Sequence, residues 1–150
     1  MGEWPGALPR IPVRSWTCSR GYPGTLEQVA EARAFLRRLL HGCPAVNDAV
    51  LLCSELAANA VQYSASRADG GQFSVHVRAQ QGSYVWAGVQ DRGGPWEQRP
   101  RDTGRMHGLD IVRALAGDGC WGITGGFGGR LVWYRLAWAS EPRPDEAGCP

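Results

Sequence analysis

Between Val46 and Val61 apolar residues recur at intervals of three and four. Val46, Ala49, Val50, Cys53, Leu56, Ala57, Ala60 and Val61 fall on one side of a helical wheel, the spacing of a core-facing stripe. Asp48, Glu55, Asn59 and Gln62 fall opposite. Glu55 and Asn59 are four apart, which makes them neighbours one turn away on the polar face. Leu51 and Leu52 also lean toward that side, so the face is expected to line a cleft rather than meet bulk water. The pattern predicts one helix over Val46 to Ser64. Upstream, Val29, Ala32, Leu36, Leu39 and Leu40 form a second stripe. Thr25-x-x-Gln28 has the form of a capping box, and Glu27 suits the positive end of the helix dipole. Arg37 and Arg38 occupy the last turn, and Gly42 and Pro44 stop the helix.

The period then changes from helical to alternating. Phe73, Val75 and Val77 alternate with Ser74, His76 and Arg78, which predicts a strand over Gln72 to Arg78. Gln81-Gly82-Ser83 is a hairpin turn, and a second strand runs from Tyr84 to Gln90, ending directly at Asp91. Val13 to Ser19 reads as an edge strand, followed by a turn at Gly21-Tyr22-Pro23-Gly24. Gly108 to Ala116 reads as a short helix with Leu109, Val112, Leu115 and Ala116 inward. Trp121 to Thr124 and Arg130 to Trp138 are strands around the glycine-rich turn Gly125 to Gly129. Gly93 to Arg105 has no period and is long for a loop in a compact domain, which points to function. Residues 1–12 and 139–150 are Pro-containing flanks, read as a flexible leader and a flexible tail around a domain over 13–138. The expected architecture is α+β: a two-layer α/β sandwich, its sheet mostly antiparallel, with helices on one face.

Composition narrows the function classes. The 150 residues suffice for one domain with a real core. The net charge of +2 and the lack of a long basic run give no argument for direct nucleic-acid binding. All 16 basic residues are arginine, so no P-loop lysine exists. Cys18, Cys43, Cys53, Cys120 and Cys149 are odd in number and include no C-x-x-C pair. That argues against a disulfide framework or a zinc site and for a reduced, cytoplasmic setting. No apolar run approaches membrane-spanning length.

A nucleotide site without a P-loop still needs a metal beside the phosphates, a reader for the base and donors for the anion. Magnesium keeps much of its water, so one amide oxygen suffices, and Asn59 offers one. Glu55, one turn away, is placed to orient or deprotonate an attacking hydroxyl. Asp91 at a strand end can accept a hydrogen bond from a purine's exocyclic amine, and Gly93 and Gly94 leave room for the ring. Gly104, Gly108 and Leu109 lie where the long loop enters a helix, a place where free N–H groups bind phosphate. Each feature alone is more often ordinary: polar helix faces are usually solvated, and Asp-x-Gly after a strand is usually a turn. Their order and context together are more specific. His107, Arg99, Arg101 and Arg105 could meet phosphate, although loop histidines and arginines are commonly just solvated.

These residues carry a resemblance to the GHKL ATPases, the Bergerat fold of histidine kinases, DNA gyrase, MutL repair proteins and a class of heat-shock chaperones. The chain most resembles the small anti-sigma-factor serine/threonine kinases and their actinobacterial relatives. Ser54-Glu55-Leu-Ala-Ala-Asn59-Ala60-Val61 resembles the N box of that branch. Asp91-Arg-Gly93-Gly94-Pro95 and His107-Gly108-Leu109-Asp-Ile-Val112 resemble its two glycine boxes. Trp121-Gly122 and Gly128-Gly129-Arg130-Leu-Val-Trp133 resemble its closing hairpin. The resemblance spans about Ser15 to Trp138. It implies that ATP binds with Mg²⁺ on Asn59, that Asp91 takes the adenine amine, and that Gly93 to Gly108, with Gly94, Gly104, His107 and Leu109, forms the lid. Glu55 would then be the general base of a kinase.

The resemblance also implies a cytoplasmic regulator of transcription that engages a sigma factor or an anti-sigma antagonist, and it allows a homodimer. The alternative is a non-catalytic nucleotide-binding module that controls a protein interface. Three positions depart from the pattern. Gln62-Tyr63 replaces a common Arg-His, Pro95 replaces a glycine, and Leu131 stands where a threonine near the adenine is expected.

Overall fold

The structure, a computed structural model, describes residues 14–63, 66, 68–93, 108–117, 120–126 and 129–138. Its elements run β1 (Ser15–Pro23), α1 (Leu26–Leu39), α2 (Val46–Tyr63), β2 (Gln72–Gln80), β3 (Tyr84–Asp91), α3 (Gly108–Ala116), β4 (Trp121–Gly126) and β5 (Gly129–Ala137). The strands form one five-stranded sheet in the order β1-β2-β3-β5-β4. Every neighbouring pair is antiparallel. The α+β two-layer reading therefore holds, with α3 carrying the chain from β3 across β5 to β4.

The period-2 pattern decides which face is covered. Phe73, Val75, Val77 and Ala79 of β2, Val85, Ala87 and Val89 of β3, and Val132, Tyr134 and Leu136 of β5 are all buried. They meet the stripe of α2, in which Ala49, Val50, Cys53, Leu56, Ala57, Ala60 and Val61 are buried as the wheel predicts. Val46, at the helix start, is partly buried against the same core. Leu52 is a correction: it is fully buried rather than on the polar side. The helix packs against α1, α3 and the sheet together. Three contact surfaces require an apolar arc wider than the stripe that one surface needs. Only Leu51 of the pair remains exposed.

Other boundaries moved for local reasons. β1 continues through Gly21 to Pro23, paired with Ser74 and Gln72, where a turn is predicted. An edge strand tolerates Gly and Pro because one side of it needs no partner. Tyr22 anchors that extension, stacked on Phe73 at 5.4 Å and edge-on to Phe35 at 6.3 Å. Thr25 is the N-cap of α1, but its side chain makes no capping hydrogen bond, so the capping box does not form. Among the described side chains of α3 the inward ones are Ile111, Val112 and Ala116, whereas Leu115 is 39% exposed; the Leu109 side chain lies outside those described. The hairpin strands extend to Gly126 and from Gly129, taking in residues predicted as turn. Cys18, Cys43 and Cys53 are free thiols. Cys120 is disulfide-bonded, a departure from a wholly reduced chain.

One buried hydrogen bond ties the two layers. The Tyr134 hydroxyl donates to the Ala49 carbonyl at 2.6 Å. Tyr134→Phe should lower unfolding free energy by roughly 0.5–1.5 kcal/mol, the net worth of one buried hydrogen bond, because the Ala49 carbonyl keeps its helical partner within α2. Urea titration of both proteins measures this, and an unchanged midpoint would show that the bond contributes nothing.

Candidate functional site

Two contacts fix how α2 lies over the sheet. Near its start, Ala49 is held by Tyr134, the cross-strand partner of Ala87. Beyond its end, the Ser66 hydroxyl accepts the Arg92 N–H at 3.0 Å. The helix therefore advances in the same sense as β3. Its later turns, which carry Glu55 and Asn59, lie toward the Asp91 end of that strand. Both side chains are half-buried, as expected of a face that is neither core nor open water. Across the helix pair, the Arg33 guanidinium donates to the Ser54 hydroxyl at 3.2 Å, beside Glu55 in sequence.

Asp91 is one of two buried polar or charged residues among those described, at 6% exposure. As the last residue of a central strand it shares the helix-facing side with Val85, Ala87 and Val89. Its carboxylate is oriented by its own turn, since the Gly93 N–H donates to Oδ1 at 2.6 Å. Gly93 has φ of +72°, a left-handed conformation that favours glycine. The motif glycine thus serves the turn that holds the carboxylate, besides leaving space. On the other oxygen, Arg130 Nη2 lies 3.5 Å from Oδ2.

Arg130 is the site residue that sequence reasoning missed. β3 and β5 pair Asp91 with Arg130 and Gln90 with Leu131. Leu131 therefore belongs to the opposite sheet face, where its Cδ1 would lie 2.8 Å from a Cβ added at Gly88. The expectation that puts Leu131 near the candidate base site is corrected in this respect: the residue beside the Asp91 carboxylate is Arg130. The signal was available in principle, because alternation along β5 from the buried Val132, Tyr134 and Leu136 puts residue 130, not 131, on the inner face.

Burial pushes the Asp91 carboxyl up, opposed by the Gly93 N–H and by Arg130. The same burial lowers Arg130, opposed by Asp91. Desolvation exceeds the mutual attraction at both ends, as a pair at 3.5 Å allows. A carboxyl whose folded value is raised contributes stability below its unfolded value, near 3.8, and loses it as pH rises through the folded value. The stability of the wild-type protein minus that of Asp91→Asn should therefore fall as pH rises above 3.8. Urea unfolding at each pH measures it. A difference that grows with pH would mean that the Arg130 pair outweighs burial. By contrast, Cys53 is pushed up to about 12 by complete burial and is inert core.

Asn59 presents one neutral amide oxygen. Among the described residues no cluster of three or more His, Cys, Asp or Glu side chains could hold a metal ion. This donor set fits a magnesium ion whose remaining ligands are phosphate and water, and it does not fit a metal caged by protein. Gly108 is the first residue of α3 and Leu109 the second, so both stand at a helix start. Gly94, Gly104 and His107, with the loop arginines and both flanks, lie outside the described residues.

The architecture is similar to the crystal structure of the RsbU and RsbW domains of Rv1364c from Mycobacterium tuberculosis. The TM-score is 0.60 and the identity 20%, over 79% of this chain and 31% of that longer chain. At that identity the likeness shows the fold. No family model matches the sequence, and no curated protein does. Among the described residues no helix is long and apolar enough to cross a membrane.

Proposed function

We propose that this chain is an ATP-binding regulator of the anti-sigma-factor kinase type, which phosphorylates a serine or threonine of an anti-sigma antagonist and engages a sigma factor. The observation that carries the reading is the buried Asp91 carboxylate, oriented by Gly93 at the end of β3, toward which the Glu55–Asn59 face of α2 advances. The likeness to an RsbW-containing structure supports the regulatory class. In this reading Asp91 accepts the adenine amine and Asn59 Oδ1 holds Mg²⁺ beside the phosphates. The ion supplies neutralisation of phosphate charge.

Glu55 is the proposed general base. As the partner hydroxyl's oxygen bonds to the γ-phosphorus, the bond to the ADP oxygen breaks and Glu55 takes the hydroxyl proton. Such a base contributes roughly 10²–10⁴ in rate. Glu55→Gln should lower phosphate transfer by about that factor while leaving ATP affinity within about twofold, a change worth roughly 0.4 kcal/mol. The check is transfer of label from γ-labelled ATP to an antagonist captured with the wild-type protein. Transfer that persists in Glu55→Gln would remove Glu55 from this role. Its absence in the wild type, with ATP bound and the partner present, would favour a non-catalytic module that sets a protein interface.

A further inference from the structure

We infer that Arg130 is a second base-reading residue, which donates to the ring nitrogen N1 of adenine while Asp91 accepts from the neighbouring amine. The inference rests on the nucleotide reading above and adds a specificity determinant to it. Two observations carry it. Arg130 is held to Asp91 by strand register, as its cross-strand partner on the inner face of the sheet. Their side chains are 11% and 3% exposed, so this is a pair within the protein rather than a surface ion pair.

The chemistry follows from what two adjacent groups offer to a base edge. Adenine presents a donor, the N6 amine, next to an acceptor, N1. A lone carboxylate matches only the first and sets its second oxygen against N1, acceptor against acceptor. With Nη2 of Arg130 3.5 Å from Oδ2 of Asp91, the pair presents an acceptor beside a donor, complementary to both atoms at once. Guanine reverses the order, with the O6 acceptor next to the N1–H donor. It would have to turn the pair around while Oδ1 of Asp91 stays engaged by the Gly93 N–H. The 3.5 Å contact is at the long limit of a hydrogen bond, so it yields readily to a base that satisfies both partners. Charged hydrogen bonds to a ligand discriminate strongly when one partner is deleted.

Single-atom nucleotide analogues test this. Affinities of ATP, 1-deaza-ATP (no N1 acceptor), purine riboside triphosphate (no N6 amine) and GTP are measured by calorimetry on the wild type and on Arg130→Met. The ligand-free circular dichroism melt of each protein confirms folding. The wild type should bind 1-deaza-ATP about 10- to 100-fold more weakly than ATP. Arg130→Met should bind the two alike while still rejecting the nucleotide that lacks the amine. Equal affinity of the wild type for ATP and 1-deaza-ATP would overturn the inference and leave the nucleotide reading standing. GTP binding more tightly than ATP, dependent on Arg130, would overturn the adenine polarity of the pair. Binding of none of the four would overturn the nucleotide reading itself. Should Arg130→Met fail to fold, the wild-type comparison of ATP with 1-deaza-ATP decides alone.

Discussion

Asp91→Ala is expected to remove most of the stabilisation that ATP and Mg²⁺ confer on this protein, and Asn59→Ala to remove its magnesium-dependent part. A ligand that binds only the folded state at about 100 times its dissociation constant adds roughly 2.7 kcal/mol. In a chain of this size that is about 5–10 °C in melting temperature. If Asp91→Ala weakens binding about 100-fold, the increment at the same ATP concentration shrinks to roughly 0.4 kcal/mol. The comparison must be of increments. Asp91→Ala also removes the carboxylate that Arg130 faces at 3.5 Å, so the stability of the ligand-free protein itself changes. Asn59 is half-buried on a polar face, and Asn59→Ala should leave the ligand-free melt nearly unchanged. Differential scanning fluorimetry with and without ATP, Mg²⁺ and chelator reads all four states. An undiminished increment in Asp91→Ala would remove that residue from the base site.

Leu52→Ala and Leu51→Ala should differ sharply although the residues are adjacent. Leu52 is fully buried between α2's neighbours, and Leu51 is 44% exposed. Truncating a core leucine costs about 2–5 kcal/mol through lost burial and the cavity left behind. Truncating a half-exposed one stays near 0.5 kcal/mol. Urea unfolding of both variants measures the contrast. Equal losses would mean that α2 is rotated from the orientation described, and with it the direction in which Glu55 and Asn59 face.

That contrast shows where sequence patterning reaches its limit. The alternation of β2 and the stripe of α2 were legible because each faces one dominant surface, and a period is what one surface imprints. Leu52 was misjudged because α2 meets α1, α3 and the sheet together, and no single-helix wheel contains the positions of three neighbours. Leu115 failed for the related reason that α3 is short, so small differences in its rotation decide which residues turn inward. β1 was cut short at Gly21 because glycine and proline read as a turn wherever strand pairing is unknown.

The candidate site divides in the same way. Glu55, Asn59, Asp91 and Gly93 were recognisable because their spacing lies within single elements. Arg130 was not, because its place beside Asp91 depends on the register of two strands 39 residues apart. The contacts that orient α2 over β3, Tyr134 to Ala49 and Arg92 to Ser66, are likewise long-range and leave no local trace.

The most direct measurement is a crystal structure of the protein with Mg²⁺ and a non-hydrolysable ATP analogue. The account predicts a purine amine within hydrogen-bonding distance of the Asp91 carboxylate and a metal ion on Asn59 Oδ1, both from one bound nucleotide. A nucleotide seated elsewhere, or one bound with Asp91 and Asn59 both untouched, would contradict it.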